Sequence, residues 1–180
     1  MFGLKKYKEN RELCEIYLNP DDTSRFQVGY IVDFDESDCL IATLDRYGEN
    51  DGFFCFLVED IIKIQRKTLY LNNLLKVSEY IGNKECSAPD FGYAGGKDSL
   101  RDRVYKYLKE KNKVASFEVA ESDGSDFSGR ITGISAETLE ADMISFDGIS
   151  DGKVEIDKKA ITAVSFDSHD EKKLEILSRS

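Results

Sequence analysis

Short apolar runs alternate with polar turns along most of the chain. Leu13–Leu18 reads as a first strand, stopped by Asn19, Pro20, Asp21 and Asp22, because proline lacks a ladder donor and the acidic pair favours a turn. Phe26–Phe34 is a second strand, with Val28, Tyr30 and Val32 on one face. Cys39–Leu44 is a third. A turn over Gly48–Gly52 ends in Asp-Gly, which supplies the positive-φ residues a hairpin wants. Phe53–Val58 is a fourth strand, apolar at every position, and Ile61–Ile64 a short fifth. An unbroken apolar run predicts cover on both faces, whereas a half-buried strand alternates.

The same pattern returns further on. Gly29, Ile31, Gly48, Asp51-Gly52 and Ile61 recur one hundred positions later as Gly129, Ile131, Gly148, Asp151-Gly152 and Ile161. The second set of strands is predicted over Val114–Val119, Gly129–Ile134, Leu139–Ile144, Val154–Ile156 and Ile161–Val164. In the third of these Leu139, Ala141 and Met143 alternate with Glu140 and Asp142, the mark of one wet face. Helices are expected over residues 2–10, over Leu69–Val77 and over Asp170–Leu177. The clearest spans 98–113, with Asp98 or Ser99 as cap and Leu100, Val104, Tyr107 and Leu108 on one stripe. The stretch between Cys86 and Lys97, with one proline and three glycines, is the expected linker; Phe91 and Tyr93 are candidates to dock it. The domain reading is therefore a first module over 1–86, a linker over 87–97 and a second module over 98–180. Each module is near the small end of what folds alone.

Composition narrows the function. A formal net charge of -10 repels phosphate backbones and argues against nucleic acid. Hydrophobic residues at 41% suffice for a packed core. No apolar run approaches the ~20 residues of a membrane span, and the first residues lack the apolar centre of a signal peptide. Cys14, Cys39, Cys55 and Cys86 form no C-x-x-C pair, and His169 is the only histidine, so no zinc site is expected. Three of the cysteines sit among strand residues, as reduced core cysteines of a cytoplasmic protein do.

Catalytic patterns are missing. The carboxylates of Asp33–Asp38 and of Asp147–Asp151 lack the ligand spacing of a calcium loop. Ser168, His169 and Asp170 carry triad letters, but adjacency in sequence is not spatial convergence. No nucleophile elbow, phosphate loop or H-E-x-x-H occurs. The basic face of 98–113, with Lys106, Lys109 and Lys113 on one stripe, is the candidate anion surface, together with Lys158 and Lys159. Asp102 with Lys106 and Lys106 with Glu110 are expected as i,i+4 pairs. Phe53, Phe54, Phe56 and Val58 are the candidate assembly strand.

Helix, strand, glycine-bearing bent strand, two strands about a glycine turn and a short last strand resemble, in that order, the Sm-like superfamily and its Hfq branch. Gly129 and the segment Asp157–Thr162 carry the likeness best, with Gly29–Asp35 in the first module. The resemblance implies two tandem Sm-like (SH3-like) five-stranded small barrels, each preceded by a short helix, in a mainly β protein whose edge strands pair with neighbouring subunits. It also implies RNA contacts, and there the sequence departs. Glu36 and Ser37 stand where the family has a glutamine and an aromatic, and Ile134–Glu137 covers the same place in the second module. Val58-Glu59 and Lys158-Lys159 stand at the family's Lys-His pair, and Cys39 and Leu139 where other Sm proteins have asparagine. Glutamates there repel phosphate. The expected function is a non-catalytic binding or scaffold protein without cofactor, acting through protein partners or homo-oligomerisation. A diverged RNA-binding regulator is the alternative.

Overall fold

The computed structural model describes residues 3–22, 24–83, 89–91, 98–120 and 127–179. The chain divides into two units, Met1–Pro89 and Asp90–Ser180. Cys86, Tyr93 and the expected turn at 121–124 lie outside the described residues, as does most of the expected linker.

Unit 1 opens with a short helix α1 (Leu4–Glu9), which buries Leu4. Arg11, at φ 49°, reverses the chain after it, and the Glu12 amide bonds back to the Tyr7 carbonyl. Five antiparallel strands follow: β1 (Leu13–Tyr17), β2 (Gln27–Phe34), β3 (Asp38–Leu44), β4 (Asn50–Leu57) and, past a 3-10 turn over Val58–Asp60, β5 (Lys63–Arg66). Helix α2 (Leu69–Tyr80) closes the unit, with the Thr68 hydroxyl accepting the Leu71 amide at its N-terminus. Leu71 and Leu74 of α2 bury against Leu13, Val28 and Leu44. All of β1 and β3 is buried, so cover on both faces extends well beyond the one strand that the apolar run marks.

Unit 2 runs α3 (Leu100–Glu110), β6 (Val114–Val119), β7 (Phe127–Ile134), β8 (Thr138–Ile144), β9 (Ser150–Asp157), a 3-10 turn over Lys158–Ala160, β10 (Ile161–Phe166) and α4 (His169–Leu177). The Ser99 side chain caps α3 through the Asp102 amide. Leu100, Val104, Tyr105 and Leu108 are its buried stripe, and Tyr107 instead meets the rings of Phe91 and Phe166 at 5.3 and 6.0 Å. The wet face expected of β8 is present: Leu139 and Ala141 are buried and Glu140 is exposed.

The strand order is β5-β1-β2-β3-β4 in unit 1 and β10-β6-β7-β8-β9 in unit 2. This corrects the expectation of two closed five-stranded barrels: each unit carries five strands of an open antiparallel sheet. The short β5 uses its ladder on β1, and β9 pairs with β8 alone. Closure would need the outer strands of a unit to bond to each other, and no such ladder exists among the described residues.

The glycines in the second strand of each unit have a steric cause. A Cβ on Gly29 would run into the carbonyl oxygen of Ala42, and one on Gly129 into that of Asp142. Just beyond each glycine the register slips, between Ile31 and Asp33 and between Ile131 and Gly133. Such bulges bend a strand and sharpen its twist. Smaller corrections concern limits. Val58 lies in the 3-10 turn, not in β4, and this turn displaces β5 from the expected Ile61–Ile64. Strand β9 begins four residues before the expected Val154–Ile156 and ends one residue after it. No helix among the described residues is long and apolar enough to cross a membrane.

Candidate functional site

Nucleophilic chemistry finds little support in the geometry. Cys14, Cys39 and Cys55 are buried free thiols. Burial, with Glu12 adding to it, pushes the Cys14 thiol up to about 12. Burial also raises Cys39, reinforced by Cys55. A thiol held protonated is neither a nucleophile nor a metal ligand at neutral pH. The triad letters at 168–170 have a helical explanation. The Ser168 hydroxyl accepts the Asp170 and Glu171 amides, and the Glu171 carboxylate accepts the Ser168 amide. This is a capping box, and His169 is simply the first residue of α4.

The carboxylate cluster at 33–38 is dispersed into separate tasks. Asp33 pairs with Lys8 at 2.8 Å. Asp35 accepts the amides of Ser37 and Asp38, which makes the β2–β3 turn. Asp38 is itself buried.

The candidate cations do not converge either. Lys158 binds Asp102 at 2.8 Å, and Lys106 binds Asp98 at 2.6 Å. These replace the expected pairing of Lys106 with Asp102 and Glu110. Lys158 reaches Asp102 from the turn before β10, and Lys106 reaches back to Asp98, just ahead of the α3 cap. Burial works against the Asp102 carboxylate, but hydrogen bonds from Lys158 and Ser99 outweigh it and hold its pKa below the usual value. Lys113 lies 2.6 Å from Asp167 and 3.8 Å from Glu175. Lys109 and Lys159 are exposed and have no ion pair among the described residues. The lysine stripe is therefore largely neutralised.

The candidate assembly strand is occupied in a different sense. Phe53, Phe54 and Phe56 of β4 are buried, and the Phe54 and Phe56 rings stack at 5.4 Å. Strands β5 and β9 are end strands of their units, each with a single neighbour there. Most of β9 is exposed, and it carries Asp151, Lys153, Glu155 and Asp157. Strand β5 carries Lys63 and Arg66, exposed at its two ends. Sequence reasoning sought a greasy strand and missed these; the available signal was the charge density of short strands, which is how natural sheets mark an edge. Beside β9, the turn residues Phe146 and Ile149 are exposed, as are Ile176 and Leu177 of α4.

No protein-family model matches the chain, and no curated protein does.

Proposed function

We propose that the chain is a non-catalytic assembly protein whose copies join edge to edge, β5 of one against β9 of the next. The observation that carries this reading is a pair of end strands of opposite charge. Unpaired N–H and C=O groups along an edge are a template for another strand. Lys63 gives β5 a basic edge, beside Arg66, which is paired with Glu12, and Asp151, Glu155 and Asp157 give β9 an acidic one with Lys153 as the exception. Charges of one sign on each edge suppress pairing of like edges and favour the head-to-tail contact. Such a contact is heterologous, so it builds rings or filaments according to its rotation. The chain order within each unit, with its bent glycine-bearing strand, supports kinship with Sm-like proteins, whose edges pair between subunits. The buried reduced thiols support a cytoplasmic setting.

Size-exclusion chromatography with light scattering tests the proposal. Mass is expected to rise with protein concentration and to fall with added salt, since exposed charges are screened within about 10 Å at 0.1 M. Asp151→Lys with Glu155→Lys is expected to shift the protein toward monomer without loss of secondary structure. A strict monomer at about 100 μM in low salt overturns the reading.

A further inference from the structure

We infer that unit 2 holds a cleft for a small phosphate-bearing anion, between the C-terminal end of α3, strand β7 and helix α4. The cleft measures about 260 Å³ and is lined by Lys111, Asn112, Lys113, Arg130, Glu175 and Arg179. Four cations line it against one carboxylate, and with Lys113 held by Asp167 the excess rests on Lys111, Arg130 and Arg179, a local reversal in a chain of net charge -10. The one carboxylate is already committed. Glu175 accepts the Val114 amide at 3.2 Å and stands 3.8 Å from Lys113. The last carbonyls of α3 are also used: the Lys111 amide bonds to Tyr107, Asn112 to Lys109 and Lys113 to Leu108. Side chains, and not bare carbonyl oxygens, therefore set the charge of the cleft.

Lys111 and Arg179 have no ion pair among the described residues. Arg130 is fixed by a bond from its Nη2 to the Ser178 hydroxyl at 2.7 Å, while its Nε is buried without an acceptor. Arginine suits phosphate because its donors form a rigid fork, and the bond to Ser178 sets the orientation of this one.

A cleft of unit 1 overlaps this one in part: it takes in the second strand and the last helix of its unit but not the turn after the first helix. It measures about 220 Å³ and is lined by Tyr30, Leu44, Asn50, Leu75, Ser78, Glu79 and Asn83. Tyr30 faces Leu13 across the ladder as Arg130 faces Val114. The first cleft has no cation among its lining residues. Tyr30 and Glu79 there hold the positions of Arg130 and Arg179, so these two positions carry cations in unit 2 alone, which points to a ligand. The volume suits a phosphate or pyrophosphate group.

Titration of the full chain with inorganic pyrophosphate, followed by amide NMR shifts, tests this. Shifts are expected at Lys111, Asn112, Lys113, Arg130 and Arg179, and none in the unit 1 cleft. Arg130→Gln and Lys111→Gln should each weaken binding at least about tenfold, with Lys109→Gln and Lys159→Gln without effect. Lys111 is exposed and bonded to nothing through its side chain, so its variant stays informative if Arg130→Gln disturbs the fold. Absence of shifts up to about 10 mM, or parent-like binding by both cleft variants, overturns the inference. Binding of an RNA oligonucleotide at these residues without any response to pyrophosphate overturns it too.

Discussion

The two units solve one packing problem with opposite placements of the same group. In unit 1 the buried carboxylate belongs to the sheet: Glu15 of β1 accepts the Tyr17 hydroxyl at 2.9 Å and the Thr68 hydroxyl at 2.5 Å. In unit 2 it belongs to the helix: Glu171 of α4 accepts the Ser116 hydroxyl of β6 at 2.7 Å and the Ser168 amide at 2.9 Å. Both carboxylates are almost fully buried. In each unit the bonds tie the first strand of the sheet to the cap of the last helix. The nearby ion pair is reversed as well. Unit 1 sets Glu12 against Arg66 at 2.6 Å, and unit 2 sets Lys113 against Asp167 at 2.6 Å. What the fold requires at these junctions is a satisfied partner, not a particular residue on a particular element. A buried acceptor is tolerated wherever donors meet it.

Breaking the bent strands should have the largest effect. Gly29→Val and Gly129→Val each drive side-chain atoms into a neighbouring carbonyl, and each is expected to cost about 3 kcal/mol or more in urea unfolding. Clearly unequal losses would show that the two bends are not the same device. Removing the buried acceptors comes next. Glu15→Ala takes the acceptor from the Thr68 hydroxyl and Glu171→Ala from the Ser168 amide, while Tyr17 and Ser116 keep Gln65 and Ser128, at about 1–3 kcal/mol each by chemical denaturation. A neutral result in one unit would mean that water or another group takes over there.

The reversed ion pairs predict opposite pH limbs. Hydrogen bonds from Arg66 and Asn10 hold the Glu12 pKa below its ordinary value. Its contribution is thus present above the ordinary carboxylate value and fades as pH falls through the lowered one. Burial opposes the Lys113 charge, but Asp167 and Glu175 outweigh it and raise the pKa. That contribution is present below the ordinary lysine value and is lost as pH climbs through the raised one. Glu12→Gln should flatten the acid limb of thermal stability and Lys113→Gln the alkaline limb. A loss in the same limb for both variants would contradict the reversal. The smallest effect is expected from Lys113→Gln at neutral pH, below about 1 kcal/mol, since partly exposed pairs contribute little.

Much of the architecture was legible in the residues. The stripe of α3, the Ser99 cap, the bent strands and the glycine turns follow from local spacing, because helix and strand periods are local properties. Gly48 and Gly148 both sit at φ 79°, where L side chains are strained. The limits of β5 and β9 were less legible, since a 3-10 turn uses residues that look like strand and an edge strand needs no apolar run. The apolar run of β4 predicts cover on both faces, and its phenylalanines are buried. An unbroken apolar run says that a strand will be covered, but not by what. The candidate site was the least legible: Lys106 and Lys158 look free in sequence and are paired in space, while Arg130 attracted no notice.

The order of helices and strands, the turns and the positions that must be glycine were determined by the sequence alone, because each rests on backbone sterics and short periodicities within a few residues. Only the tertiary structure decided that each sheet stays open, which lysines are paired with a carboxylate, and which cations gather in one cleft. Those outcomes depend on hydrogen bonds and Coulomb forces between residues distant in the chain, whose strength is set by separation in space and by burial.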